Sequence, residues 1–312
     1  SPTVRGRHCD RIAAMITVEN LTKRYGPLTA VNEISFTAKP GSVTGFLGPT
    51  GAGKSTTMRM MCGLTPPTSG GCHILGRRYV DIPNPSRQVG VLLDASAQHS
   101  GRTGREVLKI GAIVMGLDDA RVDAMMQLVG LTPTEGRRRV GNYSLGMRQR
   151  LGVAHALLGD PKVLVLDEPA NGLDPAGIRW MRDLLRTFAD RGGTVLLSSH
   201  LLSEIQVIAD ELVIIGRGRI VAQGSKDDLL KDQGTTVRGL DKAALAGALK
   251  AAGLTYSDDG SAGFSVQGTP EQVGRAAAAA GAVLVELGTR NAALEDMFLN
   301  LTASDAREGV PA

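Results

Sequence analysis

Residues 42–55 read SVTGFLGPTGAGKS. A short apolar run breaks into glycines and ends on Lys54-Ser55, and helical spacing follows from Lys54 to Leu64. Strand, glycine-rich loop and helix, in that order, are what a phosphate-binding loop needs. Gly48, Pro49, Thr50, Gly51, Ala52, Gly53, Lys54 and Ser55 fit G-x-x-x-x-G-K-[ST], and Thr56 leads into the helix. The glycines let backbone N–H groups wrap phosphate oxygens. Lys54 is expected to reach the β- and γ-phosphates, and the Ser55 hydroxyl to ligate Mg²⁺. On its own the loop predicts a nucleoside triphosphate and no particular reaction, because kinases and GTPases share it.

Downstream, VLVLDEP (163–169) is an unbroken apolar run that reads as a buried parallel strand. It delivers Asp167 to the carboxyl edge of the sheet, where ligands bind in open α/β folds. Asp167 is expected to hold Mg²⁺ through water, and Glu168 to polarise an attacking water as general base. A further buried strand, TVLLSSH (194–200), ends in His200. An imidazole at that tip can contact and sense a γ-phosphate. Between these strands, NYSLGMRQRLG (142–152) opens on Ser144-Leu145-Gly146 and continues as a basic, amphipathic helix. Its free N-terminal N–H groups suit an anion. Arg137, Arg138, Arg139, Arg148 and Arg150 read mostly as a solvated helix face.

The remaining chain alternates strand and helix, which indicates an α/β core. ITVENLTKRYG (16–26) and AVNEISFTAKPG (30–41) are alternating strands, 101–158 is mostly helical, and 211–224 reads as a hairpin around Gly-Arg-Gly. LLSEIQVIAD (201–210) reads as a helix. After about residue 232 the order becomes βαββαβ, ending in the helix NAALEDMFLNLT (291–302), which suggests a small ferredoxin-like α+β domain. The alanine run 276–280 is expected to be a close-packed helix face. The expected division is a flexible leader (1–14), a nucleotide-binding unit (15–231), an accessory domain (232–303) and a tail (304–312), with Met15 an alternative start.

The 312 residues are 42% hydrophobic, enough for a real core, and the formal net charge is +4. Net charge alone does not separate a soluble surface from attraction to a membrane or nucleic acid. Aromatics make up only 3%, with Trp180 the single tryptophan, which weighs against a surface that stacks single-stranded bases. Cys9, Cys62 and Cys72 form no paired metal-ligand spacing and suit a reducing cytosol. No apolar run approaches the roughly 20 residues of a membrane helix.

Taken together, the loop at 48–55, the signature-like YSLGM (143–147), LDE at 166–168, NGLD (171–174) and His200 resemble the ATP-binding subunit of ABC transporters over residues 16 to about 230. The resemblance implies a P-loop cassette with a RecA-like core, an antiparallel β subdomain and a helical subdomain. Tyr143, Leu145 and Met147 depart from the commonest Leu-Ser-Gly-Gly-Gln form, while Ser144 and Gly146 keep the positions whose chemistry matters most. In this family the signature faces the ATP of a second cassette, so Ser144 and Gly146 are expected to await a neighbour's γ-phosphate. The resemblance also implies a D-loop centred on Asp174 and adenine stacking by Tyr25. Where the family places a glutamine near Mg²⁺ and the attacking water, this chain has Asp94, with Gln98 nearby as the alternative.

The wording VGVLLDA, YSLGMRQRLGVAHALL and LEDMFLNLT is most similar to the bacterial drug-resistance exporter branch. That branch implies ATP-driven closure of a homodimer of cassettes, a separate integral membrane transport subunit, a drug-like or amphiphilic cargo and a place on the cytoplasmic face of the membrane. An importer, or a lipid or polysaccharide exporter, is the alternative. A soluble ATPase acting on nucleic acid is a further one, disfavoured because tandem cassettes, long coiled coils and zinc fingers are missing from the sequence. The expected partners therefore include no nucleic acid.

Overall fold

Ile16–Tyr25 (β1) and Leu28–Ala38 (β2) pair antiparallel across a tight turn at Gly26, and their inward residues Ile16, Val18, Leu21, Ile34 and Phe36 are buried. Val43–Leu47 (β3) is buried at every residue and runs into the phosphate loop and the helix Lys54–Met61 (α1). Ser69–Ile74 (β4) then returns to the free side of β1, giving a three-stranded sheet in the order β2-β1-β4. The computed structural model describes residues 15–231, 234–258 and 263–289. The leader, the helix expected at 291–302 and the tail lie outside the described residues.

The second sheet holds the strand ends that carry chemistry. Val89–Leu92 (β5) is followed by the helical segment: Gly104–Met115 (α2), Asp119–Leu128 (α3), the single turn Pro133–Gly136 (α4) and Leu145–Leu157 (α5). Thr103 and Glu106 form a reciprocal capping box that fixes the start of α2. Val163–Leu166 (β6), Pro175–Asp190 (α6), Thr194–Ser199 (β7), Leu202–Gln206 (α7), Glu211–Gly216 (β8) and Arg219–Ser225 (β9) complete this layer. The sheet order is β5-β6-β7-β3-β8-β9, with β5, β6, β7, β3 and β8 all parallel. The carboxyl ends of β6, β7 and β3 therefore sit side by side, and they bear Asp167-Glu168, His200 and the phosphate loop in turn. The helix expected over 201–210 is shorter than its apolar pattern and covers only α7.

Cys62 and Cys72 are free thiols in the core under α1. Burial, with Cys72 close by, pushes the Cys62 thiol up to about 12, and burial pushes Cys72 up to about 11.

The chain divides into two compact units between Gly224 and Ser225, seven residues before the expected boundary. The second unit begins with Lys226–Lys231 (α8) and continues as Thr235–Gly239 (β10), Lys242–Ala251 (α9), Thr255–Asp258 (β11), Gly263–Gln267 (β12), Pro270–Ala279 (α10) and Leu284–Thr289 (β13). Its strands order as β11-β12-β10-β13, every neighbour antiparallel. Val237, Leu245, Leu249, Phe264, Val266, Val273 and Ala277 form its core. Of the alanine run, Ala276 and Ala277 are buried and Ala278 to Ala280 are exposed, so only the first part is a packed face.

Candidate functional site

The phosphate loop owes its path to two glycines. Gly51 and Gly53 take φ of +84° and +108°, a region that side chains disfavour, and a Cβ on Gly53 would stand 2.7 Å from the Ala30 carbonyl oxygen. Gly53 caps α1 without a side-chain hydrogen bond, and no acid occupies the first turn. The free N–H groups of that turn are thus left to an anion, as a nucleotide phosphate requires. Lys54 is buried, and its ammonium donates to the carbonyls of Gly48 at 2.6 Å and Pro49 at 3.1 Å. Burial lowers its pKa, while Glu168 and Asp167 pull the other way. Its Nζ lies 3.7 Å from Glu168 Oε1. Ser55 is exposed and Thr56 is half-buried.

Asp167 and Glu168 leave β6 in opposite environments. Asp167 is buried and accepts a hydrogen bond from the Ser198 hydroxyl. Glu168 takes a φ of +48°, and its Oε2 lies 2.8 Å from His200 Nδ1. Lys54, Glu168 and His200 therefore converge, a cation and an imidazole on the two oxygens of one carboxylate, with Asp167 behind them.

The other expected residues lie elsewhere in the same unit. Ser144 caps α5, its hydroxyl accepting from the Met147 N–H at 3.2 Å. Gly146 packs against the 171–174 loop, where a Cβ would meet the Gly172 carbonyl oxygen at 3.1 Å. Asp174 caps α6 by accepting from the Gly177 N–H at 2.8 Å. Tyr25 ends β1, is 49% exposed, and has the Lys23 ammonium 4.9 Å from its ring centroid. Asp94 is exposed and turned onto Ser96, whose N–H and hydroxyl it accepts; those bonds, then Arg59, hold its carboxyl below the usual range. Gln98 lines a groove of about 470 Å³ with His99, Arg102, Ile110, Val114 and His155.

Two side chains that the motifs do not point to also reach this centre. Ser198, in β7, accepts from the Glu168 N–H at 3.0 Å, and Gln149, in α5, donates to the Glu168 carbonyl at 3.3 Å. The available signal was a polar residue inside an otherwise apolar buried strand or helix face.

The chain matches the family described as ABC transporter over residues 31–171, and one described as a domain of unknown function over residues 233–295. It is 40% identical over 223 residues to the bacitracin transport ATP-binding protein BcrA of Bacillus licheniformis, an overlap of 70% of this chain and 72% of that protein. It is 34% identical over 303 residues to the Nod factor export ATP-binding protein I of Burkholderia lata, covering 95% and 99% of the two. A solved ATP-binding subunit of an ABC transporter superimposes with a TM-score of 0.64 at 28% identity, over 70% of this chain and 92% of that one.

Proposed function

The chain belongs to the ATP-binding proteins of ABC transporters, and from that membership we propose that it is the ATPase subunit that drives export of a drug-like or other amphiphilic molecule through a separate integral membrane subunit. The direction is read from the relative named for Nod factor export, and the class of cargo from that relative and the one named for bacitracin transport. The observation that carries the ATPase chemistry is the convergence of Lys54, Glu168 and His200 on adjoining strand ends.

In this reading the Gly48–Ser55 loop and the first turn of α1 bind the phosphates of ATP, with Lys54 matching charge on the β- and γ-phosphates. Glu168 takes the proton of the attacking water, and His200 orients its carboxylate. Ser55 and Asp167 offer the hydroxyl and carboxylate oxygens that would hold Mg²⁺; the ion, when bound, neutralises charge on the transferring phosphate. Asp94 takes the glutamine's place at the edge of this centre. Tyr25 stacks on adenine. Ser144 and Gly146 face the ATP of a second copy, with Asp174 ordering the adjoining loop, so two chains enclose two nucleotides.

We propose that the membrane subunit docks at the groove that includes Gln98 and Arg102, beside the exposed Ile113 and Val114. Among the described residues no helix is long and apolar enough to cross a membrane, so the cytoplasmic-face location depends on that docking. The second unit is proposed as a ferredoxin-like accessory domain that braces the dimer. In a purified preparation, Glu168→Gln is expected to bind ATP normally and to turn it over about 10²–10⁴-fold more slowly, because an amide takes no proton. A parental ATPase rate would remove Glu168 from the mechanism. Co-expression should recover the chain with an integral membrane protein, and recovery on DNA instead would favour the soluble alternative.

A further inference from the structure

Glu168 occupies a left-handed backbone position that a side-chain-bearing residue rarely adopts. Its peptide groups are secured on both sides. Ser198 is fully buried in β7; its oxygen accepts the Glu168 N–H at 3.0 Å while its own proton goes to Asp167 Oδ1. Gln149 is buried in α5 and donates from Nε2 to the Glu168 carbonyl at 3.3 Å. Its Oε1 is buried without a hydrogen-bond partner, a standing cost that an apolar residue of the same shape would avoid. A polar side chain kept there at that cost has its use at the other end, on Glu168.

We propose that Ser198 and Gln149 are positioning residues for Glu168, pinning its peptide from β7 and from α5 so that the carboxylate stands between Lys54 and His200. The inference rests on the reading of Glu168 as the general base. Neither residue touches the nucleotide in this account; each acts through the backbone that carries the base.

The test is steady-state ATP hydrolysis by the purified full chain, with affinity measured by titration of a fluorescent ATP analogue and folding checked by thermal midpoint. Ser198→Ala and Gln149→Leu are each expected to lower kcat about 10- to 100-fold, as a slightly misplaced catalytic group does, with nucleotide affinity unchanged. Ser198→Thr keeps the hydroxyl on a side chain that suits a strand, so this variant restores most of the lost rate. On a Glu168→Gln background the same substitutions lower turnover no further. Should Ser198→Ala fail to fold, Ser198→Cys keeps the shape and weakens the hydrogen bond, and serves in its place. Parental kcat in the single variants beside an inactive Glu168→Gln overturns the proposal. So does a further loss on the Glu168→Gln background, which would assign Ser198 to Asp167 alone. A parental rate in Glu168→Gln is a different result: it refutes the base itself, and the proposal with it.

Discussion

At Asp94 the carboxylate is satisfied by its own loop, through the Ser96 N–H at 2.8 Å and the Ser96 hydroxyl at 2.6 Å. A glutamine restores the residue that the family places at this position, so Asp94→Gln is expected to keep most of the ATPase rate. Asp94→Ala removes the acceptor and is expected to lower turnover about tenfold, the scale of losing one hydrogen-bonding group. Gln98 faces the groove instead, and Gln98→Ala should leave turnover of the isolated chain at the parental rate. Hydrolysis assays across a Mg²⁺ titration decide between them. A severe defect in Gln98→Ala with a mild one in Asp94→Ala would mean that the two residues have exchanged roles. The residues legible beforehand were those whose chemistry is written in local order. Gly48 to Ser55 announce their own loop, and Asp167-Glu168 follow an apolar strand. Ser198 and Gln149 were not legible as parts of the centre. Their partner is a peptide group 30 or 19 positions away in sequence, and only the pairing of β6 with β7 and the packing of α5 bring them to it.

At the scale of elements, the strongly periodic or unbroken apolar segments were readable, since burial is the force that shapes them. The end of the helix after His200 was not. Apolar spacing there continues through Val207 and Ile208, yet the helix stops at Gln206, and the Asp210 carboxylate instead accepts the Val43 N–H at 2.8 Å at the start of β3. The packing of α2 on α5 carries a consequence for pH. His155, in α5, lies against Gly111 of α2, where a Cβ would come within 2.7 Å of its Nε2. Burial lowers its pKa from 6.5, so the folded chain binds a proton there less readily than the unfolded one. As pH falls below about 6.5, the unfolded chain takes up this proton more readily than the folded chain. Stability is therefore full above that value and declines below it, by at most about 1.4 kcal/mol per pH unit for one proton. Thermal midpoints at intervals from pH 8 to pH 5 should show this decline in the parent and a shallower one in His155→Gln. The carboxylates held down by helix caps, Glu106 and Glu135, act below their ordinary value of 4.5, outside that window. Equal slopes in the two proteins would mean that His155 is not the group responsible.

For the whole molecule, one helix joins two duties. α5 begins at Ser144, proposed to meet the nucleotide of a second copy, and further along bears Gln149, which touches the backbone of Glu168 in its own chain. Ser144→Arg places bulk and charge at that opening without reaching Lys54. The variant is expected to bind ATP as the parent does and to fail to form the ATP-driven dimer, read by size-exclusion chromatography with Glu168→Gln added to hold nucleotide. Mixing it with Lys54→Ala chains should rebuild at most one composite site per dimer. Loss of nucleotide binding in the Ser144→Arg chain alone would show that the signature serves its own loop and not a neighbour's.

The two thiols under α1 have a practical meaning at this same scale. At neutral pH almost none of Cys62 or Cys72 is thiolate, with values near 12 and 11, and both are enclosed by the core on which the phosphate loop rests. An alkylating reagent reaches them only when that core opens. In a Cys9→Ser chain, the rate at which label accumulates on these sulfurs is a clock for opening, and the slowing of that clock by added ATP measures how much of the nucleotide's binding energy is stored as rigidity beneath the loop.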